Sequence, residues 1–512
     1  LCLPQRQDRP GNRHRRGSGQ EVPLLGEAPA VDQLPPPRRY AEPSLILLIN
    51  KEEPHKRVRF LFLYPLLGGV GFKTGAQIPG GLRHHAAGGS LQLLGEETKI
   101  IIRFQRQIAL VADFCQCLHR VFPVDALDEG HRVTVLMVVY IVDVQRGVTK
   151  ADTNLLRLTL FISFFPQIVE GPICRYDQTA QQLWDAKPIT YENLTLGLQR
   201  IAYGMMKKIV VADRLNPLIK EVFDNYNMYD GGVIALAAVC YTIQLYMDFS
   251  GAMDAVTGIA QILGVTMPES FQRPFFSKSI SEFWKRWHIT LGTWFKDYIF
   301  YPVTMSKPMK NLTSSARKKL GNHFGPLLAG SIALFCVWFC NGLWHGSAWG
   351  YIFFGMYHFV LILSGNIIAP AVTAFNKKLH INSECFAYRV FQMVRTGILV
   401  VIGEMFFRAE RLTTGLSMFG KMVTDFSFSS LNYELMKKLK IDMHDVMIVL
   451  IALAFIFVIS VLNEKGICVR GAIAKKNVVI RWVAVYALIM FIIIFGAYGK
   501  GYVAVDPIYA NF

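Results

Sequence analysis

The chain has 512 residues, of which 52% are hydrophobic and 18% are charged, and its mean hydropathy is +0.31. Soluble proteins carry about a quarter of charged residues, so this composition argues against a soluble domain and for a membrane protein. The formal net charge is +17, but the cations stand in short clusters between apolar runs, as in loops beside an anionic lipid leaflet. We therefore expect the partner to be a lipid bilayer and not a nucleic acid.

Residues 1–132 differ from the rest of the chain. They contain stretches rich in Arg, Pro and Gly, such as QRQDRPGNRHRRGSGQ and QLPPPRRY. The most apolar run, VRFLFLYPLLGGVG, has 14 residues interrupted by Pro65, short of the ~20 that a membrane span requires. No signal peptide is visible at the start. We interpret residues 1–132 as a poorly structured segment, either disordered or mis-translated through a reading-frame error.

From residue 133 onward the chain is predicted to be an all-α bundle of transmembrane helices. Backbone polar groups in lipid must be satisfied within their own segment, so long apolar runs form helices. Several of these runs are shorter than twenty residues, which predicts tilted, broken or partly buried helices. The runs are LLRLTLFISFFPQIV (155–169), GVIALAAVCYTIQLYM (232–247), FGPLLAGSIALFCVWF (324–339), WGYIFFGMYHFVLILSG (349–365), GILVVIGEMFF (397–407), VMIVLIALAFIFVISVL (446–462) and VVIRWVAVYALIMFIIIFGAY (478–498).

Two loops are basic. MSKPMKNLTSSARKKLGNH (305–323) carries five lysines and arginines and no acid, and NEKGICVRGAIAKKN (463–477) is also net basic. Basic loops of membrane proteins lie on the cytoplasmic side. Both loops are therefore predicted to be cytoplasmic.

The stretch SISEFWKRWHITLGTW begins at Ser279, and Glu282 completes a capping-box pattern that starts a helix there. Helical spacing predicts one amphipathic helix with tryptophans at the membrane interface. His288 falls on its aromatic side, where a desolvated imidazole stays neutral. Two interpretations stay open for His288, a packed, hydrogen-bonded histidine and a functional one.

A second histidine, His345, lies in CNGLWHGSAWG (340–350), after a long apolar run and between Gly342 and Gly346. An ionisable group at membrane depth is a functional candidate, and the glycines permit a helix break that opens a cavity. Cys336 and Cys340 precede it at helical spacing. We interpret them as packing residues and not as metal ligands, because no fourth ligand is evident.

Carboxylates interrupt another apolar run, QLYMDFSGAMDAVTG (244–258). Asp248 could orient a catalytic histidine or form a structural salt bridge, because a buried carboxylate needs a partner such as an imidazole or arginine. Gly251 predicts a kink. The segment FFPQIVEGPICRYDQ (164–178) contains Arg175 and two prolines, which suits a re-entrant loop lining a cavity or the terminus of a span.

Together these motifs resemble the membrane-bound O-acyltransferase family, and most closely its bacterial branch of alginate O-acetyltransferases and D-alanyl transferases of teichoic acid. The resemblance runs from about residue 136 to the end and is most specific in the two histidine segments. The matching pieces are YIVDVQRG (140–147), LFISFFPQIVEGPICR (160–175), YMDFSGAMD (246–254), PESFQRPFFSKSISEFWKRWHITLGTWFKDYIFYP (268–302) and NGLWHGSAWGYIFFGMYH (341–358).

The resemblance implies a helical bundle around a funnel-shaped pore, formed by residues 133–512, in the plasma membrane. His345 corresponds to the family's near-invariant histidine and acts as general base, and His288 corresponds to its second active-site histidine. Asp248, Asn341, Trp344 and Arg175 are our supporting site residues.

The implied reaction needs no metal and no bound cofactor. The acyl group, acetyl in our prediction, comes from a cytoplasmic thioester, either acetyl-CoA or an acyl carrier protein. It goes toward an extracytoplasmic polysaccharide hydroxyl, and family members often use an extracytoplasmic partner protein to complete the transfer.

Two features depart from the family pattern. YPVTMSKPMK follows the first histidine motif where alginate-type members commonly have a glycine pair, and this affects the substrate assignment. The family also has several spans before YIVDVQRG, and residues 1–132 supply none. If they are translated as written, we expect an incomplete helical wall and an inactive chain.

Three alternatives stay open at this point. The first is D-alanyl transfer to teichoic acid. The second is a transporter or channel with gating histidines, although no repeat relates the two halves of the sequence. The third is a membrane scaffold that binds a cell-wall enzyme without transferring an acyl group.

Overall fold

The computed structural model describes residues 127–498, apart from residues 170, 186, 347, 410 and 440, with side chains from residue 133 onward and not at residue 169. Residues 1–126 lie outside this range, so the interpretation of residues 1–132 stays a prediction. Across the described residues the chain forms helices and no strand. The predicted all-α class is confirmed.

The first half of the described chain contains nine α-helices, with π-helical turns at Met206–Ala212 and Lys296–Phe300. They are α1 (Leu127–Gln145), α2 (Leu155–Ile162), α3 (Phe165–Val169), α4 (Tyr176–Trp184), α5 (Tyr191–Met205), α6 (Asp213–Asp224), α7 (Gly231–Ile262), α8 (Ile280–Arg286) and α9 (Ile289–Phe295).

The second half contains the longest of the described helices, Lys307–Trp344. The helices of this half are α10 (Tyr301–Met305), α11 (Lys307–Trp344), α12 (Trp349–Lys378), α13 (Phe386–Arg408), α14 (Leu412–Thr424), α15 (Tyr433–Leu439), α16 (Met443–Glu464), α17 (Val469–Ala474) and α18 (Val478–Phe495).

Six of the described helices are long and apolar enough to cross a membrane, namely α7, α11, α12, α13, α16 and α18. Helix α7 is the central one, because two thirds of its apolar window is buried, whereas none of the window of α18 is. Exposed apolar side chains on the outer helices fit contact with lipid. The predicted multi-pass membrane architecture is confirmed, and the run 155–169 is broken into α2 and α3.

Helix α5 continues through the π-helical turn Met206–Ala212 into α6 and packs against α7. Glycines permit the close contact: a Cβ on Gly204 would collide with the carbonyl oxygen of Gly251, and a Cβ on Gly258 would lie 2.8 Å from the carbonyl oxygen of Gly197. The predicted kink at Gly251 is wrong, because α7 runs unbroken through this residue. The glycine serves close packing instead.

Charged side chains join the same two helices in a buried ion cluster. Arg200 donates to Asp254 at 3.0 Å and to Glu269 at 2.5 Å, and Lys207 lies 2.6 Å from the second oxygen of Asp254. All the polar ends of this cluster need compensating partners because it is buried among apolar helices. The expectation that a buried carboxylate of this run finds an arginine is met at Asp254.

The basic segment 305–323, predicted as a loop, is helical from Lys307 onward. Helix α11 bends sharply at Gly321, whose φ is +79°. A Cβ on Gly325 would collide with the backbone of Arg317, so the basic helical stretch before the bend folds back toward the membrane-crossing part. Positive φ is accessible to glycine without the steric cost that a Cβ brings.

Candidate active site

His345 follows the last residue of α11, where the chain reverses into α12. Gly346 has a φ of +131°, and a Cβ on Gly342 would lie 2.8 Å from the carbonyl oxygen of Tyr351. Both glycines are therefore required by the tight reversal. The predicted break between two helices at His345 is confirmed.

The side chain of His345 is 6% exposed and is surrounded by aromatic rings. Its ring centroid lies 5.0 Å from that of Phe407, which meets it edge-on, and 6.4 Å from those of Tyr351 and Phe354. Apolar surroundings favour the neutral form of a histidine. Neutral imidazole is the form that a general base needs.

His288 lies in a turn and not within a helix. Helix α8 ends at Arg286 and α9 begins at Ile289, and His288 between them has a φ of +42°. The backbone at the break bonds to a distant segment: Gln272 N–H donates to the Arg286 carbonyl, and Ile289 N–H donates to the Ser270 carbonyl, both at 2.9 Å. The prediction of one continuous amphipathic helix is wrong, because these long-range hydrogen bonds replace helical ones.

The start of the predicted helix is correct, since the Ser279 hydroxyl accepts from the Glu282 N–H at 3.1 Å. The predicted interfacial position of the tryptophans is wrong for Trp287, which is 2% exposed and packs within the protein. The break turns the side chains of this segment inward, so His288 meets Phe249 edge-on at 4.8 Å between ring centroids.

A third histidine, His358 of α12, connects the two histidine segments. It is fully buried, and its Nδ1 accepts a hydrogen bond from the Trp284 Nε1–H at 3.2 Å. Its ring also packs on Trp338 of α11, with 5.5 Å between centroids. Trp284 lies on α8, which ends shortly before His288, and Trp338 lies on α11, which ends directly before His345. His358 therefore ties the helix before one histidine to the helix before the other.

The four supporting residues divide into two groups. Asn341 and Trp344 lie on α11 close to His345, and Asn341 is 7% exposed. Asp248 pairs with Lys208 at 2.8 Å, which is the salt bridge that the sequence left as an alternative. Arg175 forms an ion pair with Asp297. The assignment of all four to a catalytic site stays a prediction.

Two cavities flank this region. The first, here named the Arg175 cavity, has a volume of about 80 Å³ and lies beside α9. The second, the Arg408 cavity, has a volume of about 170 Å³ and lies where α6 and α13 end. The Arg175 cavity is lined by Val139, Ile173, Arg175, Gln178, Pro268, Glu269, Ile289, Thr290, Thr293 and Trp294. The Arg408 cavity is lined by Phe223, Asp224, Tyr226, Arg408, Ala409 and Thr414.

Each cavity approaches His345 through aromatic residues. Trp294 lines the Arg175 cavity and lies 5.8 Å, between ring centroids, from Trp344, the residue before His345. Phe407, which contacts His345, directly precedes Arg408 in the second cavity. The cavities also lie toward opposite ends of α7, since Tyr226 precedes that helix and Pro268 follows it. This arrangement suits two reactants that meet at His345 from different directions.

Sequence reasoning missed His358 and Arg408. His358 ends the quoted motif NGLWHGSAWGYIFFGMYH, and the available signal was an ionisable residue within the apolar run 349–365. Arg408 directly follows the apolar run GILVVIGEMFF, and a single cation at this position is typical of an ordinary helix end. Only the packing of α6 against α13 and α14 shows that it lines a cavity.

Comparison with known proteins finds one family model that matches part of the chain. Residues 108–317 match the model of the membrane-bound O-acyltransferase family. The probable alginate O-acetylase of Pseudomonas syringae pv. tomato is 34% identical over 295 residues, covering 57% of this chain and 51% of that protein.

Two other relatives have different acceptors in their names. The peptidoglycan O-acetyltransferase of Helicobacter pylori is 28% identical, covering 53% of this chain and 47% of that protein. The teichoic acid D-alanyltransferase of Bacillus subtilis is 32% identical, covering 44% of this chain and 55% of that protein. The chain thus spans about half the length of the relatives that it matches.

Proposed function

We propose that this chain, whose residues 108–317 match the model of the membrane-bound O-acyltransferase family, is an O-acyltransferase that moves an acyl group from a cytoplasmic thioester toward an extracytoplasmic polysaccharide hydroxyl. The observation that carries the proposal is the burial of His345 among aromatic rings, with its neighbour Trp344 packed on a residue of one cavity and its contact Phe407 next in sequence to a residue of the other. A transferase needs such an arrangement, because donor and acceptor must meet at one base while water is excluded.

In the proposed reaction an imidazole nitrogen of His345 takes the proton of the acceptor hydroxyl. The oxygen attacks the carbonyl carbon of the thioester, forming the ester C–O bond. The C–S bond breaks, and the thiolate takes the proton back from the imidazolium, so His345 returns to its neutral form. His288 positions a reactant or stabilises the negative charge on the carbonyl oxygen.

The donor side follows from the basic segment between α16 and α18. Arg470 of this segment donates to the carbonyl of Leu196 at 3.2 Å and to the side chain of Gln261, in the last turn of α7, at 3.4 Å. The Arg175 cavity lies toward that same end of α7. Because basic segments face the cytoplasm, the thioester, either acetyl-CoA or an acyl carrier protein, enters there.

The acceptor then enters through the Arg408 cavity on the opposite side. In the cell an extracytoplasmic partner protein completes the transfer to the full-length polysaccharide, whereas a short soluble oligosaccharide reaches the cavity without it, and the chain itself lies in the plasma membrane. The relative named alginate O-acetylase supports acetyl as the acyl group, and the relative named teichoic acid D-alanyltransferase supports D-alanyl as the second candidate.

The test is acyl transfer by the purified full-length chain in lipid nanodiscs. Donors are acetyl thioester and D-alanyl carrier-protein thioester, and the product is the acyl ester on a soluble oligosaccharide. We expect His345→Ala to abolish transfer, while His380→Ala, at an exposed position, leaves it unchanged. A scaffold would keep its function in His345→Ala. No transfer by the unaltered chain would contradict the proposal and agree with the expectation from residues 1–132.

A further inference from the structure

Several partly buried arginines of the bundle form no ion pair with a described residue, among them Arg470, Arg481 and Arg408, and of these three only Arg408 lines one of the two cavities. It is half-buried at the end of α13 and forms no ion pair with any residue that the structure describes. Its guanidinium carbon lies 5.7 Å from the ring centroid of Phe223. Five other arginines each pair with a carboxylate, namely Arg175, Arg200, Arg214, Arg273 and Arg286.

The helix end that lines the cavity also contributes a contact of the candidate base. Phe407, the neighbour of Arg408, meets the ring of His345 at 5.0 Å. Ala409, which also lines the cavity, has its carbonyl oxygen 3.5 Å from where a Cβ on Gly350 would lie, in the first turn of α12. One helix end thus supplies both a ring that contacts His345 and a guanidinium that lines the cavity.

The remaining lining residues suit a hydroxylated ligand. The exposed Asp224 can accept hydrogen bonds from hydroxyl groups, Thr414 can donate and accept, and Tyr226 adds an aromatic face. The volume of about 170 Å³ is below the ~300–1,000 Å³ of pockets for drug-sized ligands. The cavity therefore fits one small unit of a polymer rather than a long segment.

We propose that the Arg408 cavity is an acceptor subsite, in which the guanidinium of Arg408 binds an acid group, carboxylate or phosphate, carried by the hydroxyl-bearing acceptor. This inference rests on the proposed function for the identity of the ligand as acceptor. A planar guanidinium with five donors binds either oxyanion through two parallel hydrogen bonds. The acceptor class is then an acidic glycan or polyol polymer.

The first experiment measures binding without catalysis. The full-length chain in nanodiscs is titrated by calorimetry with three probes of equal length: an oligo-uronate, an oligomer of glycerol phosphate, and a neutral oligoglucan. We expect one acidic oligomer to bind and the neutral one to bind much more weakly. Binding of the oligo-uronate alone identifies a carboxylate acceptor, and binding of the glycerol phosphate oligomer alone identifies a phosphate acceptor.

Variants locate the charge that is responsible. Arg408→Gln should weaken binding of the acidic oligomer about 10- to 100-fold, as expected for the loss of hydrogen bonds between charged groups. Arg408→Lys should weaken it less, since it keeps the charge but loses the planar fork. The matched control is Arg411→Gln, which removes the same charge at an exposed position outside the cavity lining and should leave binding within about twofold.

Kinetics then separates this inference from the proposed function. In the transfer assay Arg408→Gln should raise the KM for the acidic acceptor and leave the KM for the thioester unchanged. The chain could bind the acidic oligomer through Arg408 and yet transfer no acyl group. This result would support the anion site and overturn the proposed function. Absence of acidic-oligomer binding, or equal losses in Arg408→Gln and Arg411→Gln, overturns the subsite.

Discussion

The two polar regions inside this bundle are held together in opposite ways. In the buried ion cluster, Arg200 and Lys207 surround Asp254, and each charge lies within 3.0 Å of an opposite one. Around His345 the neighbours are aromatic rings, at 5.0 Å from Phe407 and 6.4 Å from Phe354. The first region fixes two helices by charge pairing. The second keeps its imidazole in apolar surroundings, where it can exchange a proton.

The difference indicates that the ion cluster contributes to stability and that the histidine region contributes to the reaction. The paired charges between α5 and α7 compensate each other, so they have little capacity left to bind a ligand. The aromatic neighbours of the histidine region lead instead to two cavities, one of them lined by an arginine without an ion pair among the described residues. Substitutions should therefore affect stability in the first region and transfer in the second.

The largest expected effect is on the ion cluster. Asp254→Asn leaves Arg200 and Lys207 buried without their shared carboxylate, and we expect a loss of about 3–5 kcal/mol in the free energy of unfolding. Denaturant unfolding in detergent micelles measures it. The control Lys438→Gln removes an exposed partner of Glu221 and should change stability by ~0–1 kcal/mol. Equal effects for the two variants would contradict a structural role for the cluster.

A second substitution tests the glycine contact beside that cluster. Gly204→Ala places a methyl group against the carbonyl of Gly251, and the overpacking should destabilise the protein by about 1–3 kcal/mol. Gly420→Ala, on α14 with open space around it, should instead stabilise its helix by ~0.5–1 kcal/mol. The thermal unfolding midpoints of both variants measure these changes in stability. A neutral Gly204→Ala would show that the helices can separate at no cost.

The third substitution separates backbone strain from chemistry at His288. Its positive φ disfavours a β-branched residue, so His288→Val should destabilise the fold by about 1–2 kcal/mol. Asparagine tolerates this conformation, so His288→Asn should keep the unfolding midpoint and still reduce transfer. Full transfer by His288→Asn would show that His288 is a turn residue and not a site residue.

The smallest expected effect concerns the hydrogen bond between Trp284 and His358. Trp284→Phe removes the donor and His358→Leu removes the acceptor, and each should lower kcat about fivefold to tenfold, as for one lost hydrogen bond. His358→Asn keeps an acceptor at a similar position and should retain most of the rate. The double variant Trp284→Phe, His358→Leu should be no slower than either single one, because both remove the same bond. Additive losses, or equal losses in Asn and Leu variants, would contradict a positioning role.

Much of the bundle could be predicted from composition and local pattern. Apolar length and the absence of charge locate the spans, and Gly342 and Gly346 locate the break at His345, because these signals are local in sequence. The break at His288 could not be predicted in this way. It depends on hydrogen bonds from Gln272 and to Ser270, and helical periodicity contains no information about such distant partners.

At Gly251 the local sequence predicted a break in a helix that the fold does not have. A glycine beside a serine and near two carboxylates predicts a kink. In the fold this glycine instead contacts Gly204 on another helix. The partner of Asp248, Lys208, lies 40 residues earlier in the chain on a π-helical turn. The candidate histidines carried local signals, whereas the role of Arg408 depends on the meeting of three helix ends.

The most direct test of two-sided access to His345 is cysteine labelling in oriented membranes, in a chain whose native cysteines have been replaced. Thr293→Cys places a thiol in the Arg175 cavity and Thr414→Cys places one in the Arg408 cavity. A membrane-impermeant maleimide should label the first only from the cytoplasmic face and the second only from the opposite face. Labelling of both thiols from the same face would contradict the meeting of donor and acceptor at His345 from opposite sides.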